Sequence, residues 1–386
     1  MLAHFSHHLI PALLTPLLPY IRDDLSLTYT QTGWLVSAYS LAYGISQLPA
    51  GRLADRIGPR IILTIGVAGV GVAGLLIGIA PTYVMLALSL VLLGIAGGGY
   101  HPAAVPLVSA SAEAKNRGRT LGLHQVGGTS SFFLAPLIVA GIASAFGWRG
   151  TFLAVSVPSI VFGIVLYMLL GRLGYGKNAE PKTDVSHAEI APSPRRMRPL
   201  VVVIILGIAN MSLAFSTISF IPLFIVDHFG GVNNEAAAAM ISLIFLGGLW
   251  AGPLGGYLSD RLGRVPVMLA AGFIAGLAIY LQNLVPLGIA FSAVLITLGM
   301  AVHLGMPAVE AYIISHTSQR RRSTMLGIYY LGSRGGLAIA PVIGYLIDRY
   351  GFYTAFSVVG ATMAVVTLVC AMLLWGSRDK FIQASD

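Results

Sequence analysis

Charged side chains are scarce in this chain, and that shortage decides its class. Asp, Glu, Lys and Arg make up only 10% of the 386 residues, whereas 56% are hydrophobic. A soluble domain carries about 25% charged residues, so this composition excludes a soluble fold of this length. The single cysteine, Cys370, lies in an apolar run, which excludes a disulfide framework. The composition therefore predicts an integral membrane protein.

Signatures of several other classes are also absent. No complete Gly-x-x-x-x-Gly-Lys-Ser/Thr loop occurs, so nucleotide hydrolysis is not the expected energy source. No nucleophile–base arrangement stands out, so we expect neither an enzyme nor a cofactor. The net charge of +9 would suggest nucleic acid in a soluble protein. In a membrane protein it is typical of basic cytoplasmic loops, and no nucleic-acid partner is expected.

Apolar runs, each long enough to cross a bilayer, recur along the whole chain. They form two sets of six, so we predict an all-α membrane protein with twelve transmembrane helices. The runs lie near 2–21, 33–54, 61–80, 83–110, 120–143, 151–170, 199–226, 236–258, 265–283, 286–314, 324–347 and 353–375.

One charged turn occurs twice. Gly51–Arg60 follows the second run, and Gly256–Arg264 follows the eighth, 205 residues later. Pro102-Ala103 is likewise repeated 205 residues later, as Pro307-Ala308. Tandem halves of the same orientation are parallel repeats related by an axis along the membrane normal, and the substrate of such proteins lies between the halves. We predict two pseudo-symmetric six-helix bundles.

The predicted domains follow from these runs. The N-terminal bundle covers 1–170 and the C-terminal bundle covers 199–378. Residues 171–198 contain prolines and mixed charges without a hydrophobic period, which is typical of a flexible linker. Residues 379–386 form a tail.

Lys and Arg residues predict the orientation. With the turns at Gly51–Arg60 and Gly256–Arg264 in the cytoplasm, nineteen of them lie on that side and three on the other. The positive-inside rule then places both termini in the cytoplasm of a cell inner (plasma) membrane. The first run starts almost at Met1 with no basic segment before it, so we interpret it as a span rather than a signal peptide.

The duplicated turn resembles the signature loop of the major facilitator superfamily. The resemblance implies alternating access, with Gly51 allowing spans two and eleven to approach closely. It further implies that Asp55 caps the eleventh helix in the outward-facing state, where a helix N-terminus stabilises an anion. It places the arginines in a cytoplasmic charge network. The residues that carry it are Gly51, Asp55, Arg56, Gly58 and Arg60, with Asp260, Arg261 and Arg264 in the second half.

A narrower pattern is similar to the fosmidomycin-resistance branch, which exports drugs by proton antiport. It consists of Tyr100–Ala103 in span four and Gln125–Gly128 in span five. Two acidic positions of that branch are not matched, because Ala103 stands where the branch has Glu and Ile10-Pro11 where it has Asn-Asp.

Two charges fall well inside predicted spans, namely Glu310 in span ten and Arg334 in span eleven. A charge at mid-span costs on the order of 2.5–3.5 kcal/mol and marks function by default. One interpretation is a structural ion pair in which each charge satisfies the other. In the other, Arg334 holds an anionic substrate, with Tyr330 as a contact, while Glu310 exchanges a proton.

Histidines supply a second set of candidates. His101, His124 and His303 are embedded in spans four, five and ten, and Gln125 lies beside His124. Histidine titrates near neutral pH and could relay protons, but an interhelical hydrogen bond is an equal alternative. His4, His7 and His8 are interpreted as lying near the cytoplasmic surface. No metal site is expected, because no cysteines accompany the histidines and their depths differ.

The leading hypothesis is a monomeric secondary transporter that exports a small anionic or amphipathic compound in exchange for protons. Proton-coupled uptake of an organic anion is the alternative within transport. A transport-inactive membrane sensor is the alternative of another class, and the lack of a long soluble domain disfavours it.

Overall fold

The computed structural model describes residues 1–111, 113, 117–174, 194–317 and 319–375, with the backbone alone at 55, 117–119, 121, 194–196 and 319–324. Every regular element among these residues is a helix. Most of the predicted linker, 175–193, and the tail 379–386 lie outside the described residues.

The helices follow one another with short connections. A π-helical segment, Ile65–Gly69, joins α4 to α5, and a 3₁₀ segment, Gly336–Ile339, joins α13 to α14. The α-helices are α1 Leu2–Ala12, α2 Leu14–Leu25, α3 Tyr29–Ile57, α4 Pro59–Thr64, α5 Val70–Gly78, α6 Tyr83–Gly98, α7 Tyr100–Ala110, α8 Arg117–Arg172, α9 Pro194–His228, α10 Asn234–Leu262, α11 Arg264–Leu281, α12 Ile289–His316, α13 Gln319–Gly335 and α14 Ala340–Leu374.

These helices account for the twelve predicted spans. Within the described part of the chain, eight continuous stretches are long and apolar enough to cross a membrane, and two of them, Gly122–Arg172 and Met325–Leu374, have 51 and 50 residues. A straight helix of that length would measure about 75 Å, against a hydrocarbon core of about 30 Å. Each of the two bends at a glycine of positive φ, Gly147 at 67° and Gly351 at 79°, and so contributes two spans. With α1–α2 as span one and α3 as span two, the total is twelve.

The duplication seen in the sequence is repeated in the backbone. Gly58 ends α3 and begins α4 with φ 91° and ψ 151°, and Gly263 does the same between α10 and α11 with φ 90° and ψ 149°. Only glycine adopts this conformation readily. The two charged turns therefore have the same shape, and the end of the molecule that carries them is called the hinge end.

The apolar core shows how the two halves meet. One large cluster joins both halves at the opposite, far end, with members such as Leu17 and Phe224. Towards the hinge end the core divides into one cluster around Tyr100 in the first half and another around Tyr312 in the second. The halves are thus packed together at the far end and separate towards the hinge end.

Polar contacts reinforce the far end. Arg22 forms an ion pair with Asp227, and the Tyr29 hydroxyl donates a hydrogen bond to the same carboxylate. The backbone N–H groups of Tyr29 and Thr30 donate to Asp348 over 2.9 and 2.8 Å. All these bonds link the two halves, and together they form the far-end gate. The gate is closed in this structure.

Gly263→Ala tests the strained turn. Its Cβ would meet only Pro266 at 3.5 Å, an ordinary contact, so the cost is conformational and amounts to roughly 1–3 kcal/mol. We expect a lower midpoint of thermal unfolding for the purified protein. Gly141→Ala is the control, because its Cβ meets nothing within 4 Å and alanine favours a helix. Equal unfolding midpoints for the two variants would contradict a conformational cost at the positive φ of Gly263.

Asp227→Asn tests the far-end gate. Removing the charge weakens bonds to Arg22 and Tyr29 by about 1–2 kcal/mol, since the paired side chains are 15% and 27% exposed. Far-end-open molecules should become roughly tenfold more frequent. Electron–electron distances between spin labels at Pro81 and Gly230 measure this population. The control is Asp23→Asn, because Asp23 contacts Arg22 from within the same half and should leave the distances unchanged.

Candidate functional site

A cavity lies between the two halves. The first half contributes His8, Thr15, Tyr39 and Tyr43, and the second half contributes Phe215 and Arg334 among others. Arg334 is the one Asp, Glu, Lys or Arg side chain among the described residues that line the cavity. The cavity is mostly apolar, with one fixed positive charge.

The broken first span brings His8 to this cavity. Pro11 has no backbone N–H and clashes with the carbonyl one turn earlier, so it disrupts a helix. The helix is interrupted at Leu13, between α1 and α2. His8 and Thr15, on either side of the interruption, both line the cavity.

Arg334 lies near the end of α13, just before the 3₁₀ segment Gly336–Ile339. Tyr330 is one turn earlier on the same helix face. Both Tyr330 and Arg334 act electrostatically on Glu310 of α12. No ion pair within 4.0 Å joins Glu310 to Arg334 among the described side chains. The absence of a direct contact therefore argues against a structural ion pair in which the two charges only neutralise each other.

Histidines from three spans meet in the first half. His4, His7 and His8 of α1 pack with His101 of α7 and His124 of α8; these five form the histidine cluster. His4 stacks on His124 with ring centroids 4.3 Å apart, and the Nε2 atoms of His8 and His101 share a hydrogen bond of 3.1 Å.

Two expectations about these histidines are wrong. His4 and His7 are fully buried and His8 is 6% exposed, so they do not lie at the surface. One ring nitrogen from each of His4, His8 and His101 lies within 4.8 Å of the others, so their depths do not separate them. Spans one and four pack against each other at this level, which sequence spacing alone does not reveal.

Backbone carbonyls orient two of the imidazoles. His4 Nδ1 contacts the carbonyl oxygen of His124 at 2.8 Å, and His7 Nδ1 contacts that of Gly66 at 2.7 Å. Gly66 lies in the π-helical segment Ile65–Gly69, where the wider turn alters the helical hydrogen bonding. Since a carbonyl only accepts, each Nδ1 is the donor and each Nε2 is unprotonated in the neutral ring.

The remaining candidate side chains do not join one site. His303 of α12 is in the second half, with Nδ1 2.9 Å from the Gly299 carbonyl oxygen and the ring beside Phe215 and Phe245. Arg334 acts on His303 through its charge. Gln125 is exposed and is not among the residues that line the cavity.

The signature loop contacts its own half in this conformation. A Cβ on Gly51 would meet Pro102 of span four at 3.5 Å, so the expected approach of Gly51 to span eleven is not made here. Spans two and eleven instead meet at Gly33, Gly44 and Gly344. The side chain of Asp55, with its predicted capping role, lies outside the described part of the chain.

Arginines of both turns bind neighbouring helices. The Arg60 guanidinium stacks 3.7 Å over the Tyr167 ring and donates to the Tyr167 carbonyl oxygen. Arg264 donates to the Ser315 hydroxyl in the second half. Arg261 lies over the Tyr257 ring at 4.8 Å, while Arg56 and Asp260 are exposed. Gly58 provides the turn described above.

A sequence signal for the cluster was present. His4 and His8 are four residues apart, and that spacing puts two side chains on one helix face. Their partners His101 and His124 are about a hundred residues away, so the pairing required the packing of spans one, four and five.

Comparisons with known proteins agree with this architecture. A sequence model described as Major Facilitator Superfamily matches residues 1–232 and 203–381. The chain is 26% identical to the "Probable L-galactonate transporter" of Escherichia coli, over 92% of this chain and 83% of that one. It is 25% identical to a "Probable sulfoacetate transporter" of Cupriavidus necator, over 91% and 86%. It is 26% identical to the "Multidrug resistance protein MdtG" of Proteus mirabilis, over 89% and 87%.

Solved structures have the same fold. A bacterial homologue of the human lysosomal transporter Spinster, in an inward-facing and occupied conformation, aligns with a TM-score of 0.79 at 17% identity, over 97% of this chain and 94% of that one. A transporter of the POT family in complex with 5-aminolevulinic acid aligns with a TM-score of 0.80 at 15% identity, over 96% and 94%. With its twelve spans, its two equivalent turns and a match along nearly its whole length, the chain belongs to the Major Facilitator Superfamily.

Proposed function

We propose that this member of a transporter family carries a small organic anion together with a proton, by symport into the cell. Its family membership supports secondary transport rather than catalysis. The observation that carries the proposal is Arg334, the single formal charge on the described wall of the central cavity. A guanidinium in a mostly apolar cavity is suited to bind a carboxylate or sulfonate by paired hydrogen bonds.

Coupling follows from the position of Glu310. The positive charge of Arg334 acts on the buried carboxyl group of Glu310. An anion bound at Arg334 cancels that field, so the same desolvated carboxyl group then gains a proton more readily. By linkage, anion and proton favour each other's binding. Ligands that bind together are carried in one direction, which is symport.

Two relatives are consistent with an anionic substrate. The names of the Escherichia coli and Cupriavidus necator proteins specify galactonate and sulfoacetate, which are both small anions. We extend that substrate class, small carboxylates and sulfonates, to this chain.

Export by proton antiport is the second candidate function. It is favoured by the similarity to MdtG and by the aromatic wall of the cavity, where Tyr39, Phe132 and Phe215 would accept an amphipathic compound. Antiport requires that proton and substrate compete, whereas the Glu310–Arg334 arrangement makes them cooperate. The geometry therefore supports symport better.

The proposed orientation assigns the sides of the membrane. If the hinge end and both termini lie in the cytoplasm, the closed far-end gate seals the outside and the cavity opens inwards. Transport then proceeds by alternating access, with the gate at Asp227 and Asp348 opening to admit anion and proton from outside. When the far-end gate is open, the hinge end would close instead. The residues that would take part in that closure are Arg56, Arg60, Asp260, Arg261 and Arg264.

Glu310→Gln tests proton coupling. Glutamine keeps the size of the side chain but cannot exchange a proton, so accumulation driven by a proton gradient should be lost while counterflow exchange continues. Proteoliposomes with candidate carboxylates and sulfonates inside and outside measure both. Glu235→Gln at the far end is the matched control. If the Glu310 variant still accumulates substrate like the unaltered protein, Glu310 does not couple transport.

Arg334→Ala tests anion recognition. Loss of charged hydrogen bonds worth about 1.5–3 kcal/mol each should weaken binding of galactonate or sulfoacetate roughly ten- to a hundredfold. Calorimetric titration of the purified protein measures the affinity. Arg334→Lys retains the charge and should recover part of it, while Arg349→Ala, an exposed far-end arginine, should have no effect. Unchanged affinity in Arg334→Ala would make the residue structural.

A further inference from the structure

The histidine cluster contains a three-histidine site that the transport proposal does not use. One ring nitrogen from each of His4, His8 and His101 lies within 4.8 Å of the other two. His4 and His8 are buried, and His8 also lines the central cavity. To bind a single metal ion, the longest of these nitrogen–nitrogen distances, up to 4.8 Å, has to shorten to roughly 3.4 Å.

Several nitrogens of the cluster have no partner. His4 Nε2, His7 Nε2, His8 Nδ1 and His124 Nε2 are buried and make no hydrogen bond to any described residue. Leaving a buried polar atom unpaired costs about 1–3 kcal/mol, so four in one place call for an explanation. A metal ion bound by His4 Nε2 would give one of these four atoms a partner.

The orientation of His4 favours a metal ion over an anion. Its Nδ1–H donates to the His124 carbonyl oxygen, which leaves Nε2 with an unshared lone pair directed away from that bond. Histidines that bind metals characteristically donate their other N–H to a carbonyl or carboxylate in this way. An anion would need an N–H donor at Nε2 instead.

We propose that His4, His8 and His101 bind one divalent transition-metal ion of the zinc type, with a fourth coordination position open to the central cavity. Three histidines and one exchangeable ligand form a known tetrahedral arrangement with metal–nitrogen distances of about 2.0–2.1 Å. That geometry places ligand nitrogens roughly 3.4 Å apart. The His8 and His101 nitrogens, at 3.1 Å, need to separate by only a few tenths of an ångström.

Charge determines the fourth ligand. All three imidazoles would bind in their neutral form, and the charge of Arg334 reaches both His8 and His101. A dication there would be repelled unless an anion completes its coordination. The fourth ligand is therefore a hydroxide or a carboxylate, placed between the ion and the guanidinium.

Equilibrium dialysis of the purified, tag-free protein tests the site, and it does so whether or not the proposed anion transport is correct. After removal of metal by a chelator, the protein should bind about one Zn²⁺ per chain. Bound Co²⁺ should show the intense visible absorption of tetrahedral nitrogen coordination. Acetate should shift that absorption by entering the open position, and an unchanged spectrum would contradict an open position.

Single substitutions locate the ion. His4→Gln and His8→Gln should each weaken Zn²⁺ binding by more than about tenfold, whereas His228→Gln at the far end should not. Metal-free thermal unfolding shows whether each variant has folded. Absence of stoichiometric binding, a Co²⁺ spectrum of octahedral oxygen coordination in the unaltered protein, or equal affinity in all three variants would each overturn the proposal.

Discussion

The cost of a charge in the membrane interior is the constraint on which the rest of this structure depends. Arg334 cannot face lipid without a penalty on the order of 2.5–3.5 kcal/mol. It lies instead on the wall of a cavity between two helical bundles, where water or an anion can reach it. The cavity exists because the apolar core is continuous only at the far end and divides towards the hinge end. The position of the Arg334 charge therefore depends on the division of the apolar core.

The two halves share a scaffold but not their chemistry. Gly58 and Gly263 have almost identical backbone angles, and Arg22 pairs with Asp227, its own equivalent 205 residues later. The candidate functional side chains do not follow this symmetry. The histidine cluster is confined to the first half, and Glu310 and Arg334 to the second, where the equivalent first-half residues are Val105 and Thr129. The candidate functional side chains therefore occupy positions that the two halves do not share.

Local patterns predicted much of the fold, while the site depended on packing. Twelve apolar runs and the repeated turn are enough to predict the twelve spans, because length and hydropathy decide which segments cross a bilayer. The separation of Glu310 and Arg334 could not be read from their positions, since it depends on the rotation of α12 and α13. The convergence of His4, His8 and His101 was missed for the same reason. Gly51 was expected against span eleven from resemblance, yet it packs on Pro102 when the far end is closed.

The central claim is that an anion at Arg334 and a proton at Glu310 bind cooperatively. Isothermal titration of galactonate or sulfoacetate into the purified protein, in buffers of different ionisation enthalpy, gives the number of protons exchanged on binding. The account predicts that anion binding is accompanied by net proton uptake. The uptake should be largest in the pH range in which Glu310 of the unliganded protein is ionised. Binding of the anion with proton release, or with no proton exchange across that pH range, would contradict it.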